Sequence, residues 1–291
     1  NKRNKDSIKE LSDFVKQQHT VCEFGTSDSW VILSPIEQSI KRKIESVGTP
    51  LKDWDIQIYR GVLTGYNEAF IISTEKRNEI LDNCLSADER KRTEELIRPI
   101  LRGRDIKRYS YDWADLWLIN THNGVRGIKD RIHIEDYPAV KTHLDQYWNK
   151  ISRRADKGDT PYNLRNCAYL DDFNKPKILY PDIAQRLSFV LDTNKYVLGN
   201  TAYFMAADKI ELLDSITHIL NSSLIDWYYR TLSVQLGAQA VRMFSIYVLN
   251  IPIPKSIEIE QFTEIEGDNL DCKVFTLYGL NEKEIEFIVS L

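Results

Sequence analysis

The sequence predicts an α+β fold of mixed, short-strand sheets with interspersed helices. Three observations carry that prediction. Apolar runs of strand length are short and scattered, amphipathic helical segments fall between them without regular strand–helix alternation, and one long helix near 209–231 carries the strongest apolar stripe.

Taken in order, Ser34 supplies an N-cap and Pro35 a first-turn residue for a helix over 34–47. Its Ile36, Ile40, Ile44 and Val47 recur at helical spacing, and Gly48 and Pro50 end it. The polar stretch before it reads as a linker. Residues 54–72 turn strand-like, with Ile56 and Ile58 alternating and 69–72 as a short apolar run. Ser86 and Glu89 have capping-box spacing for a helix whose apolar face holds Leu96, Ile97, Ile100 and Leu101, kinked or ended by Pro99. Residues 117–119 read as a buried strand. A further helix begins near Pro138, faces the core with Val140, Leu144, Tyr147, Trp148 and Ile151, and is stopped by Gly158 before an Asp159-Thr160-Pro161 turn. Residues 177–180 and 202–205 read as strands. In the helix over 209–231, Leu213, Ile216, Leu220 and Trp227 form the stripe, while Asn221, Ser222 and Ser223 are poor helix formers and predict a break or a close contact. Residues 244–254 read as extended, with Pro252 and Pro254 placing them on a sheet edge. Trp54, Trp113, Trp117, Trp148 and Trp227 are expected in the core.

Length and composition exclude several classes. The chain has 291 residues, 42% apolar and 28% charged, enough for one large or two modest globular domains and too apolar for disorder. No apolar run approaches the roughly 18–20 residues of a membrane helix, and Lys2, Arg3, Lys5 and Asp6 precede no signal-peptide core, so the reading is cytoplasmic with no membrane partner. Cys22, Cys84, Cys167 and Cys272 form no CxxC pair, so reduced thiols are expected. The first residue is Asn1, which suggests a piece of a longer protein. The net charge of −4 hides an asymmetry: residues 255–291 carry three lysines against nine acids and form an acidic tail. Residues 88–108 hold eight basic and five acidic groups, and 149–177 hold seven and four. Such local surpluses suit phosphate contact, and equally suit solvated helix faces.

Catalytic motifs are absent. There is no GxG turn, Walker loop, GxSxG elbow or HExxH, and His19, His122, His133, His143 and His218 never stand four apart, which leaves them structural or surface roles. A magnesium nuclease needs converging acids and a lysine. Asp182 follows Pro181, but Asp192 and Lys195 are one residue too far apart, and Asp105 with Lys107 lacks an upstream Pro-Asp. No catalytic or metal-binding residue is assigned.

Four segments together resemble one family. Gly61-Val-Leu-Thr-Gly-Tyr-Asn-Glu-Ala-Phe70, Leu96-Ile-Arg-Pro-Ile-Leu-Arg-Gly-Arg-Asp105, the central stretch 153–182 and the distal half with Asn200-Thr-Ala-Tyr-Phe204, Ile219-Leu-Asn-Ser222 and Ile251-Pro-Ile-Pro254 are similar to the C-terminal specificity region of TaqI-like adenine methyltransferases and type IIG restriction-modification enzymes. The end, Leu277-Tyr-Gly-Leu-Asn-Glu-Lys-Glu284, also resembles that of such proteins, and the resemblance covers about residues 30–291. It implies a region that reads duplex DNA for an upstream methyltransferase, which binds S-adenosylmethionine and flips an adenine. Magnesium would be added where a nuclease is fused. The chain itself lacks the cofactor glycines and the D/N-P-P-Y/F loop, so the implication is a target-recognition region without cofactor, partnered by double-stranded DNA and by the methyltransferase domain. The expected organisation is a junction over 1–50, a recognition domain over 51–254, and the acidic tail over 255–291 packing on it.

DNA recognition needs cations for phosphates and planar donors or amides for base edges. Arg102 and Arg104 flank Gly103, and Arg153, Arg154 and Lys157 close a helix, where they also complement its dipole. The loop after the Gly-Asp-Thr-Pro turn places Tyr162, Asn163, Arg165 and Asn166 close together, and Arg242 follows a small-residue stretch. All ten are candidate DNA contacts. Thr64, Gly65 and Asn67 form a turn, or alternatively a phosphate cradle. Two other readings stay open: an independent nuclease on Asp182 or Asp105 with Lys107, and a protein-docking module using the helix over 209–231.

Overall fold

A computed structural model describes residues 33–233, 235–236, 240–258 and 268–291; the expected linker over 1–32, with His19 and Cys22, lies outside the described residues. In chain order the elements are α1 (Pro35–Val47), β1 (Gly48–Pro50), β2 (Gln57–Arg60), α2 (Asn67–Phe70), β3 (Ile71–Ser73), α3 (Thr74–Asp82), α4 (Ala87–Leu96), β4 (Ile97–Leu101) and β5 (Leu116–Ile119). There follow α5 (Pro138–Asp145), α6 (Trp148–Ile151), β6 (Lys177–Pro181), β7 (Ile183–Ala184), β8 (Val190–Asp192), β9 (Val197–Leu198) and β10 (Ala202–Ala206). The last are α7 (Ile210–Leu220), α8 (Ser223–Leu232), β11 (Gln235–Leu236), β12 (Ala240–Arg242), α9 (Ser245–Val248), β13 (Pro252–Pro254), α10 (Asp268–Leu277) and α11 (Glu282–Val289). The architecture is α+β.

A four-stranded antiparallel sheet, in the order β2-β10-β6-β8, stands between two hydrophobic cores. Strand side chains alternate between faces, and this sheet is covered on both. Ile178, Tyr180, Tyr203 and Met205 enter one core, while Leu179, Ala202, Phe204 and Ala206 enter the other. Register pairs like with like: Tyr203 lies opposite Tyr180, their rings stacked at 5.3 Å, and Phe204 lies opposite Leu179. The first core also takes Ile40 and Ile44 from α1, the stripes of α7 and α8, and Val274, Tyr278 and Ile288 from the C-terminal helices and the turn between them. Thus residues on both sides of position 254 share it. The second core is closed by the sheet β3-β5-β4-β9, in which β4 and β9 run parallel.

Several local expectations change. Ile97, Ile100 and Leu101 belong to a strand: Pro99 lacks an N–H and drives Arg98 extended, so the helix ends at Leu96. The run over 69–72 is the end of a one-turn helix followed by β3. The helix from Pro138 stops at Asp145 and resumes for one turn at Trp148, whose side chain is exposed, not core. Gly158 therefore ends no helix; its N–H bonds to Asn163 O at 3.0 Å, and a Cβ there would stand 2.4 Å from Asn123 Oδ1. Within 244–254 a turn of helix, α9, precedes β13. The expected break at 221–223 is present, with Ser222 capping α8 through Ile225 N at 3.3 Å. The stripes of α7 and α8 are buried in the first core, so the apolar surface invoked for protein docking is already covered. Trp54 and Trp227 are buried as expected, and Trp113 and Trp117 are half-buried against the second core.

Candidate nucleic-acid interface

The turn at Gly199–Thr201 anchors two clusters of candidate residues. Gly61 and Gly199 pass so closely that a Cβ on Gly61 would stand 2.1 Å from Gly199 O, and one on Gly103 would stand 2.3 Å from Thr201 O. Only glycine permits such approaches. Gly103 N–H also donates to Thr201 Oγ1 at 2.9 Å.

In the first cluster, the loop at 64–67 locks against the loop at 153–166. Thr64 Oγ1 accepts from Tyr66 N at 3.2 Å and donates to Asn67 Oδ1 at 2.5 Å, and Gly65 adopts φ +67°, which gives the turn expected of these residues. Arg154 is the key between the loops. Although expected on the surface, it is 7% exposed, and its guanidinium donates to Thr64 O, Asp156 O (2.8 Å), Pro161 O (3.1 Å) and Asn163 O (2.5 Å) while lying 4.4 Å over the Phe70 ring. Burial lowers its pKa to about 10, so it remains charged at neutral pH. Asn163 is equally internal at 1% exposed: it accepts from Thr160 Oγ1 at 2.6 Å and donates to Ile132 O at 2.9 Å and His122 O at 3.3 Å. These two residues build the loop and do not present donors outward, because six carbonyls already occupy them.

What the loop does present is Arg153, Lys157, Arg165 and Asn166, all exposed. Arg165 pairs with Asp156 at 3.2 Å, an exposed ion pair of little strength. Lys157 donates to Ser152 O at 2.8 Å, and Asn166 accepts from Asn123 Nδ2. Tyr162 is half-buried, bonded to Asp145 Oδ1 at 2.5 Å and packed on Trp148.

In the second cluster Arg102 holds Asp105 in a bidentate pair at 2.7 and 2.9 Å, with its own N–H on Asp105 Oδ2 at 2.8 Å. Asp105 is thereby buried and committed, which removes it as a nuclease acid, and Lys107 Nζ donates to Arg104 O at 3.0 Å. Arg104 is exposed. Thr201 O accepts from Asp182 N at 2.8 Å, and Asp182 lies 3.6 Å from Arg242, whose guanidinium also covers the Phe244 ring. Among the described residues, no group of three or more His, Cys, Asp or Glu is placed to hold a metal.

Sequence reasoning missed two residues. Asn120 and His122, just after β5, border two adjacent clefts, the larger enclosing about 300 Å³ between the Gly61 turn and residues 164–170. The only signal was an Asn-Thr-His-Asn run beyond a strand end, which has no distinctive spacing.

Sequence and fold together place the chain in a class of specificity domain. Residues 98–253 match the TaqI-like C-terminal specificity domain, and the chain belongs to this family. It is 22% identical over 272 residues to the type II methyltransferase M.PaeR7I of Pseudomonas aeruginosa, covering 89% of this chain and 44% of that one. A solved structure of the type IIL restriction-modification enzyme MmeI in complex with DNA shares the fold at a TM-score of 0.55 and 14% identity, over 84% of this chain and 37% of that one. The chain thus spans less than half the length of the relatives it matches.

Proposed function

We propose that this chain is the DNA target-recognition region of a restriction-modification protein and positions an upstream, S-adenosylmethionine-dependent adenine methyltransferase at its site. The observation that supports it best is the locked loop pair: buried Arg154 and Asn163 fix a loop from which Arg153, Lys157, Arg165 and Asn166 project. A rigid loop offering cations and an amide suits phosphate register with base-edge contact. Arg104, Arg102 and Arg242 extend the phosphate contacts, Tyr162 buttresses the loop, and the Thr64-Gly65-Asn67 turn serves it as scaffold. The cofactor belongs to the methyltransferase, as does magnesium to any fused nuclease, and the protein works in the cytoplasm.

The test is binding to a randomised duplex pool across a salt series, with the retained DNA sequenced. One short motif should be enriched, with log affinity falling linearly against log salt. Arg165→Ala should weaken binding evenly across sequences and reduce the salt slope by about 1. Binding that ignores salt and sequence, in this chain and when joined to its methyltransferase, would sink the proposal.

A further inference from the structure

Asn120 lines both clefts in an unusual state for a buried amide. Its side chain is 9% exposed, its Oδ1 is buried without a hydrogen-bond partner, and none of the described residues bonds its Nδ2. Buried amides are ordinarily satisfied, as Asn163 is only one loop away. His122 stands beside it on both clefts: its Nδ1 accepts the Gly124 N–H at 3.1 Å, which leaves the ring proton on Nε2 as a free donor. The larger cleft has walls of Val62, Leu63, Leu164 and Leu170, with Arg60 and Arg165 also lining it. Its lining is thus part apolar and part polar, with an unpaired amide, an imidazole and two guanidinium-bearing side chains.

That combination selects a planar heterocycle attached to a phosphate chain. An asparagine amide pairs in two-point fashion with the adjacent donor and acceptor of an adenine edge. A base still stacked in a duplex cannot bring its edge to a group nine-tenths buried, so an occupant of this cleft must leave the stack. We propose that the cleft between the Gly61 turn and residues 164–170 receives one unstacked adenine of the bound DNA, with Asn120 as the residue that specifies it, His122 donating to the same base, and Arg60 and Arg165 holding the flanking phosphates. This rests on the DNA-recognition reading above, and assigns base discrimination to Asn120 in place of Asn163.

The experiment uses Asn120→Leu and Asn120→Asp in the full chain. Leucine fills the same volume without polar atoms, so it should fold at least as stably as the parent, as thermal melting would report. In the pool selection, Asn120→Leu should keep the salt slope and overall affinity within a few-fold while one required adenine in the motif becomes degenerate, a loss of about tenfold to a hundredfold in discrimination. Asn120→Asp, which retains an acceptor but no donor, should lose adenine preference at the same position. With 2-aminopurine in place of the base next to that adenine, which leaves the adenine's own amino group intact, its fluorescence should rise on binding to the parent as its neighbour leaves the stack, and not on binding to Asn120→Leu. An unchanged motif in a folded Asn120→Leu would overturn the inference and leave the DNA-recognition reading standing, with Asn120 holding only water. Degeneracy without a fluorescence rise would overturn the unstacked base. If the parent enriches no motif and shows no salt-dependent binding, the underlying reading fails with it.

Discussion

At the scale of single residues, the same side chain type has opposite value according to what its neighbours leave free. Arg154 has the composition of a DNA contact and the environment of a core residue. Replacing it with lysine keeps the charge but reduces a planar fork serving four carbonyls to one ammonium, so buried acceptors lose partners. A loss of about 2 kcal/mol or more in urea denaturation is expected, with DNA affinity falling as the loop loosens. The buried histidines give a pH dependence. Burial holds His122 and His143 below the ordinary imidazole pKa, His143 Nε2 donating to Ala69 O at 3.0 Å. The unfolded chain therefore takes up these protons first. Stability should be complete above about pH 6.5 and fall as pH drops through the histidine range, before the lowered carboxylates such as Glu284 begin to protonate. His143→Gln, which can still donate to Ala69 O, should flatten the slope between pH 7 and pH 5 in denaturation curves. The surface position of Arg165 and Asn166 was readable in the sequence. Sequence reasoning read Arg154 and Asn163 as outward-facing and passed over Asn120, because whether a polar atom is satisfied depends partly on groups far along the chain, such as Thr64 O for Arg154 and Ile132 O for Asn163.

At the scale of elements, much was legible where local chemistry decides. The Ser34 and Ser86 caps and the break at 221–223 are set by side chains within a turn of the helix end. The spacing of Leu96, Ile97, Ile100 and Leu101 fits both a helix face and a buried strand, and only pairing of β4 with β5 and β9 resolves it. The glycine turns are another case. The sequence marks Gly61 and Gly103 as motif glycines, yet their function is tertiary, since each meets backbone of the 199–201 turn. Gly61→Ala should force that turn away from β2, at a cost of about 1–3 kcal/mol, and shift the affinity of both arginine clusters together. Equal thermal stability for parent and Gly61→Ala would show that the turn yields freely.

For the whole molecule, the question is how two cores separated by one sheet unfold as a unit. Lys177 and Asp192, both fully buried, pair at 2.5 Å across β6 and β8, and Lys177 Nζ also donates to Phe173 O at 2.9 Å. Asp192 in turn accepts from Asn194 N at 2.9 Å and Tyr196 N at 3.1 Å, fixing the loop that leads to β9. Asp192 and Lys195, whose spacing is one residue too long for a nuclease pair, are also apart in their bonding: Asp192 takes Lys177 from the next strand, while Lys195 sits at φ +61° and lends its carbonyl to Arg98. The pair ties the edge of the central sheet to the strand that feeds the Gly199–Thr201 anchor, so damage there reaches both cores. Lys177→Met leaves an uncompensated buried carboxylate and should cost about 3–5 kcal/mol. Lys177→Met with Asp192→Leu removes the stranded charge and should recover part of that loss, but not the loop that Asp192 holds. Because the sheet is common to both cores, tryptophan fluorescence and far-ultraviolet circular dichroism should follow a single transition in the parent and in each variant. Two separated transitions would mean that the cores fold independently and that the 199–201 turn, and with it the spacing of the two arginine clusters, is set by one core alone.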